Sequence, residues 1–339
     1  MKKLGFLIAG VSLLMSGALF ASVRPCPGEF SFTAEWIYLD PIVDNPYYVI
    51  NSEEDDDVKG PRKANELDFE SGFRLEAMYA FCDCATDFRF AWTHLNTDHK
   101  DRVKVRGEDE RFLLPTVGHP EEMDEDYDFA ASRIKFDFDR VEALFGYRFM
   151  TCGCLDIALE GGLQYARFDT QHRNEFRIPG SGSSLQGEED EFIKYAADSC
   201  YWGIGPQIGI DLNYCLCGNF SLVATANWAL LVGENETKTL IFEQEGDEIE
   251  IEVFSKNDCI YRIVPATHIR AGLNYGFGCG CWDFNIEAGY QFYSYQRALD
   301  TIEFVSDKGG REEGQVGRSL DIYSNADMHG PYVSVTFNF

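Results

Sequence analysis

The sequence predicts an all-β chain that closes into a transmembrane antiparallel barrel, and three observations carry that reading. An apolar leader opens the chain, long segments alternate apolar and polar residues with period two, and four Cys-x-Cys pairs recur at a nearly constant interval.

The leader comes first. Lys2 and Lys3 precede an uncharged apolar run over 4–20, followed by the small residues Ala21 and Ser22. That order describes a secretory signal peptide, predicted over residues 1–21, with the barrel over 22–339. No basic stop-transfer patch follows, which argues against a membrane anchor. The flank Val23-Arg24-Pro25 lacks the small apolar lead-in of a lipoprotein site at Cys26. Without the leader the chain has 27 basic residues against 57 acidic ones, about −30. So acidic a chain repels nucleic acid and does not dock on anionic lipid by charge. No second apolar run is long enough to span a bilayer as a helix, whereas barrel strands are short and half apolar.

Alternation identifies the strands. Trp202, Ile204, Pro206, Ile208, Ile210, Leu212 and Tyr214 oppose Gly203, Gly205, Gln207, Gly209, Asp211 and Asn213. Phe284, Ile286, Ala288, Tyr290 and Phe292 likewise oppose Asp283, Asn285, Glu287, Gly289 and Gln291. A soluble sandwich also alternates, but these runs reach 11 to 14 residues, the span of a tilted membrane strand. Aromatics gather near their ends (Trp36, Tyr38, Tyr79, Trp92, Tyr147, Tyr214, Trp228, Tyr275, Trp282), as interfacial girdles do. Ten strands are expected, at 30–39, 69–81, 88–95, 133–149, 155–168, 202–214, 220–231, 263–275, 282–293 and 332–339. Eight or twelve stay open, because 238–254 could form another hairpin; its charged face favours an extension above the membrane. The last strand carries Phe337 and Phe339 on its apolar face, a pattern that resembles the signal by which the barrel-assembly machinery recognises such chains and is expected to serve as one.

The cysteine pairs are Cys82/Cys84, Cys152/Cys154, Cys215/Cys217 and Cys279/Cys281, separated by 70, 63 and 64 residues. They mark short turns, while the opposite connections at 51–63, 96–128, 169–198, 233–259 and 299–327 are long and acidic. Short turns face the periplasm and long loops the exterior. The acidic runs lack the regular spacing of a calcium loop and read as solvated loops. Zinc would need two pairs close together, so no metal or other cofactor is expected. An oxidising compartment favours disulfides, between turns or to another molecule, since a bridge within a pair closes a strained ring. All 11 cysteines follow the leader, and the odd number leaves at least one thiol unpaired or bonded elsewhere. The expected partners are outer-membrane lipid, further copies of the chain and disulfide-linked envelope proteins.

The inward faces offer Glu70, Arg74, Glu76, Glu142, Arg148, Asp156, Glu160, Gln164, Gln207, Asp211, Arg270, Asp283, Glu287 and Gln291 as lumen-lining groups. Opposed acids and arginines set a transverse field, and the excess of acids predicts mild cation preference. A porin-like barrel for passive diffusion of small hydrophilic solutes is the favoured function. A structural or adhesive surface barrel with a filled lumen is the alternative. A surface hydrolase ranks below both. His94, His99, His119, His172, His268 and His329 read as lone surface histidines, and Gly180-Ser-Gly-Ser-Ser lacks the nucleophile-elbow spacing.

The segments Trp202-Gly-Ile-Gly-Pro-Gln-Ile-Gly-Ile, Gly218-Asn-Phe-Ser-Leu-Val-Ala through Leu230-Leu-Val-Gly, Glu142 to Gly146-Tyr-Arg-Phe, Glu160-Gly-Gly-Leu-Gln-Tyr-Ala, Glu287-Ala-Gly-Tyr-Gln and Gly330-Pro-Tyr-Val-Ser-Val-Thr-Phe stand together in this chain. They resemble the pore-forming major outer membrane protein family of the Legionella and Chlamydiales type. The resemblance runs from about Phe30 to Phe339. It implies a barrel in the bacterial outer membrane, passive diffusion, adhesin or antigen roles, and disulfide-linked complexes. The dense Cys-x-Cys content looks more chlamydial. The resemblance implies no catalytic residues.

Overall fold

The structure is a computed structural model that describes residues 28–43, 46–52, 60–83, 85–105, 112–118, 127–152, 154–178, 191–245, 248–279, 282–305 and 318–339. The leader expected over 1–21, the loop runs 53–57 and 121–126, and Cys26, Cys84, Cys281 and His119 lie outside the described residues. The strands are β1 (Phe30–Val43), β2 (Tyr47–Ser52), β3 (Arg62–Ala64), β4 (Glu70–Ala80), β5 (Thr86–Lys104), β6 (Phe112–Pro115), β7 (Phe129–Cys152), β8 (Leu155–Arg177), β9 (Glu191–Cys217), β10 (Phe220–Glu245), β11 (Glu248–Cys279), β12 (Trp282–Val305) and β13 (Arg318–Asn338).

Ten of them close an antiparallel barrel in the order β1-β13-β12-β11-β10-β9-β8-β7-β5-β4. Trp36 closes the ring, facing Phe73 of β4 on one side and Val333 of β13 on the other. The expected ten-strand barrel is the observed one. Closure leaves no unpaired strand edge, which is what lipid demands of a backbone with no water to bond.

The segment 238–254 lies within β10 and β11, with Leu240 facing Phe254 and Glu243 facing Glu250. It extends the existing hairpin and adds no strand. The connections read as long loops differ from expectation more widely. β5 runs to Lys104, β7 starts at Phe129, and β8 and β9 run to Arg177 and from Glu191. The expected loops at 96–128, 169–198, 233–259 and 299–327 therefore contribute wall, whereas the described ends of 51–63 belong to β2 and β3 of the small sheet.

On β7 and β8 the reason is an inversion of the apolar and polar faces along the strand. On the lower part of β7, Val141, Ala143, Phe145 and Tyr147 point outward, while Glu142 and Leu144 are buried inside. Higher up, Arg133, Lys135, Asp137 and Asp139 take the outer face, and Ile134, Phe136 and Phe138 are buried within. β8 switches in the same way, from outward Leu159 and Leu163 to outward Arg167 and Asp169, with Phe168 and Phe176 inside. Apolar groups face lipid below the switch and avoid water by turning inward above it. The line passes near Trp36, Trp92, Trp202 and Tyr290, all exposed on the outer wall. A second aromatic belt at the turn end includes Phe30, Tyr147, Tyr214, Phe220 and Phe337.

β3, β2 and β6 form a separate small sheet in that order. Its Tyr48, Val49 and Leu113 join one buried cluster with Tyr127, Phe176, Ile193 and Ile241 of the upper wall region. Tyr48 donates to Asp101 at 3.2 Å, and Asn65 Nδ2 donates to Ser132 at 3.0 Å. The sheet is therefore a cap packed on the inner face of the outer half.

Candidate functional site: the barrel lumen and its rim

The lower lumen is a network of ion pairs. Alternate residues of every strand face inward, so arginines meet acids two residues along the same strand, on a neighbouring strand, or across the lumen. Arg89 of β5 reaches Glu160 at 2.7 Å, Asp211 at 3.0 Å and Glu76 at 3.6 Å. Arg74 lies 2.7 Å from Glu76 and 3.5 Å from Glu142. Arg270 holds Glu287 at 2.6 Å and Glu35 at 2.8 Å. Arg140 bonds Glu142 at 2.5 Å, and Gln207 donates to the same carboxylate at 2.7 Å. Below this network Arg148 approaches Asp156 at 4.0 Å, beside a polar cavity of about 120 Å³.

Of the residues expected to line the lumen, Arg74, Glu76, Glu142, Glu160, Gln207 and Asp211 thus come together in one network, and Arg270 with Glu287 forms a second cluster on the same cavity. Gln164 donates to the Tyr295 hydroxyl at 3.1 Å, and Gln291 accepts from Tyr293 at 3.0 Å. Asp283 sits half-buried at the turn end, in register with Gly278 and Asn338. Glu70 is exposed at the start of β4 and accepts from the Ser71 amide, away from the network. Sequence reading missed Glu35, Arg89 and Arg140. The first two had a signal, since Glu35 continues the inward series Ser31 and Thr33, and Arg89 follows Asp87. Arg140 had one too, two residues before Glu142 on the inward face of the strand expected at 133–149.

Above the ion pairs the lumen is filled by aromatic side chains from the wall itself. Phe138 stacks on Phe168 at 5.1 Å, Phe168 meets Tyr295 at 4.6 Å, and Phe138 meets Tyr293 at 5.8 Å. These four side chains are no more than 1% exposed. Leu39, Leu95, Leu231, Val264 and Met328 complete the same cluster.

The histidines depart from the expected lone surface positions. His268 is 2% exposed and lies flat on Tyr293 with ring centroids 4.1 Å apart. His94 contacts Asp139 at 2.9 Å, and His329 contacts the Tyr290 hydroxyl at 2.7 Å. His172 is on the inward face above the membrane segment, where burial and Arg173 pull its pKa down to about 4. Each follows from the same inversion, which gives inward histidines apolar neighbours and outward ones the polar groups of the interface.

At the opposite rim the short turns carry the cysteines. In the β4–β5 turn, Asp83 accepts from the Thr86 amide at 3.0 Å and hydroxyl at 2.8 Å, and from the Ala85 amide at 3.2 Å. Those bonds hold its carboxyl below the usual range. Gly218 takes φ of 58° in the β9–β10 turn, a conformation a side chain would strain. Cys154, Cys215 and Cys217 are exposed thiols. Among the described residues no cluster of three or more His, Cys, Asp or Glu is placed to hold a metal ion.

The family model described as Legionella pneumophila major outer membrane protein precursor matches residues 24–339. The chain belongs to that family. As a member of the Legionella major outer membrane protein family with a closed barrel, it resides in the bacterial outer membrane. No curated protein matches it at a significant level. Among solved structures it is similar to the outer membrane protease OmpT of Escherichia coli, with 9% identity, a TM-score of 0.42, and coverage of 94% of this chain and 98% of that one. It is also similar to the Pseudomonas putida toluene transporter TodX, with 7% identity, a TM-score of 0.32, and coverage of 92% and 90%. A Pseudomonas aeruginosa FadL homologue matches with 7% identity, a TM-score of 0.26, and coverage of 94% and 96%.

Proposed function

We propose that this family member is a surface barrel with a filled lumen, which anchors and displays its extracellular wall rather than passing solutes through a standing channel. One observation carries the reading: Phe138, Phe168, Tyr293 and Tyr295 project from the wall into the lumen and are at most 1% exposed. A water path would have to cross that layer, and water in such an apolar layer lacks the polar partners it needs. Because the filling comes from the wall, moving the cap sheet alone leaves it in place. Display is supported at the far end, where Ile249, Ile251 and Phe254 of the outer hairpin are 61%, 62% and 59% exposed. Exposed apolar side chains grouped in this way suit contact with another surface.

The porin reading is second, and the ion-pair network favours it. Four arginines facing six carboxylates across a lumen would filter solutes by charge and dipole if water reached them. Conductance of the purified barrel in a planar bilayer separates the two. A filled lumen gives no steady ohmic steps. Reproducible steps of one size, present without applied high voltage, overturn the proposal and restore the porin.

A further inference from the structure

The second and third cysteine turns are neighbours on the rim. β8 and β9 pair down to Leu155 facing Tyr214, and the next position outward sets Cys154 against Cys215. The Cys215 amide donates to the Cys154 carbonyl at 2.7 Å, so the two residues are held together by backbone. Both are exposed thiols. Among the described residues no other two cysteines occupy facing positions on adjacent strands.

We propose that Cys154 and Cys215 form a reversible disulfide staple between the two turns. Directly opposed residues of a hydrogen-bonded antiparallel pair have α-carbons about 5.5 Å apart, inside the window a disulfide spans. In such a pair the β-carbons stand farther apart than a relaxed bridge prefers, so forming the bond asks the turn to yield. Cys154 sits in that turn, one residue beyond the strand. A bridge that is both exposed and strained is easily reduced, which makes this a labile link rather than a permanent one.

The oxidant is a protein disulfide of the oxidising compartment. One thiolate, Cys154 or Cys215, attacks a sulfur of that disulfide and breaks its S–S bond, giving a mixed disulfide. The second thiolate displaces the donor, which leaves as a dithiol. Two electrons pass to the donor, and the two thiol protons end on its sulfurs. Cys217, also exposed, lies two residues past Cys215 and beyond the end of the β8 pairing, so it stays available for bonds to other molecules.

Whole outer membranes, quenched in acid, alkylated and digested without reductant, test the proposal by mass spectrometry. A peptide joining Cys154 to Cys215 is expected, lost in Cys154→Ser and in Cys215→Ser but retained in Cys217→Ser. Brief exposure to glutathione should remove it before the barrel unfolds, as read from heat-modifiable mobility of the same variants on semi-native gels. Recovery of both residues as alkylated thiols overturns the proposal, provided the barrel is folded and the donor system active. So does a link from either residue to another chain or to a different turn.

Discussion

Arg140 and Glu142 meet at 2.5 Å on the inner wall, each with a side chain only 1% exposed. They are two residues apart on β7 and so share its inward face. The pair sits where the lumen changes from ion pairs to aromatics, with Gln207 and Arg74 completing the carboxylate's surroundings.

Removing one partner should therefore cost far more than removing both. Glu142→Ala leaves Arg140 buried without its nearest counter-charge, a loss of about 3–5 kcal/mol by comparison with other buried pairs. The double variant Arg140→Met with Glu142→Met should recover most of that. Urea unfolding in detergent, followed by tryptophan fluorescence, gives the two midpoints. Equal midpoints for the single and double variants would show that the pair adds nothing as a pair.

The aromatic filling makes its own prediction. Phe168 contacts Phe138, Tyr201 and Tyr295, and none of its surface is exposed. Phe168→Ala should destabilise the barrel by about 3–5 kcal/mol through the lost burial and the cavity left behind. Phe145→Ala, on the lipid face at 60% exposure, should cost much less in the same detergent assay. Similar losses at the two positions would place Phe168 outside a packed interior.

Close approach of strands predicts a third effect. An added side-chain carbon at Gly205 would lie 1.7 Å from the Leu230 carbonyl oxygen, which cannot move without disturbing the β9–β10 ladder. Gly205→Ala should reduce the folded fraction in the outer membrane, seen as loss of the heat-modifiable band. Gly161→Ala is the control, because its nearest neighbour would be the Gln207 carbonyl oxygen at 4.0 Å. A normal folded yield for Gly205→Ala would show that the ladder has slack there.

The ten strands were legible because lipid imposes one rule on every spanning segment. Ile204, Ile208 and Leu212 must face out whatever their neighbours do, and the period of two follows. The same rule misled above the membrane. Phe176, Ile193, Ile241 and Ile302 lie beyond the inversion, in segments that read as loops because the lipid-facing pattern has ended. Strand pairing there is kept by an apolar interior, as in a soluble protein, so its alternation has the opposite phase. The charged lumen residues could be named from one strand at a time. That they pair with one another, and that aromatics lie over them, depends on strands far apart in sequence, such as Arg270 with Glu35.

The last prediction concerns acid. His172 has a folded-state pKa of about 4 against an ordinary value near 6.5, because burial and Arg173 disfavour its charged form. Between those two values the unfolded chain binds a proton that the folded chain does not, so acid favours unfolding. The stability due to a neutral His172 is fully present above about pH 6.5 and is lost as pH falls toward 4, with a slope of at most about 1.4 kcal/mol per pH unit. His172→Gln removes the titration while keeping a polar group of similar reach. The stability of the wild type relative to the variant should therefore fall as pH drops from 7 to 4.5. Thermal unfolding in detergent at matched ionic strength measures both curves. A constant offset between them across that range would mean that His172 does not titrate as its surroundings require.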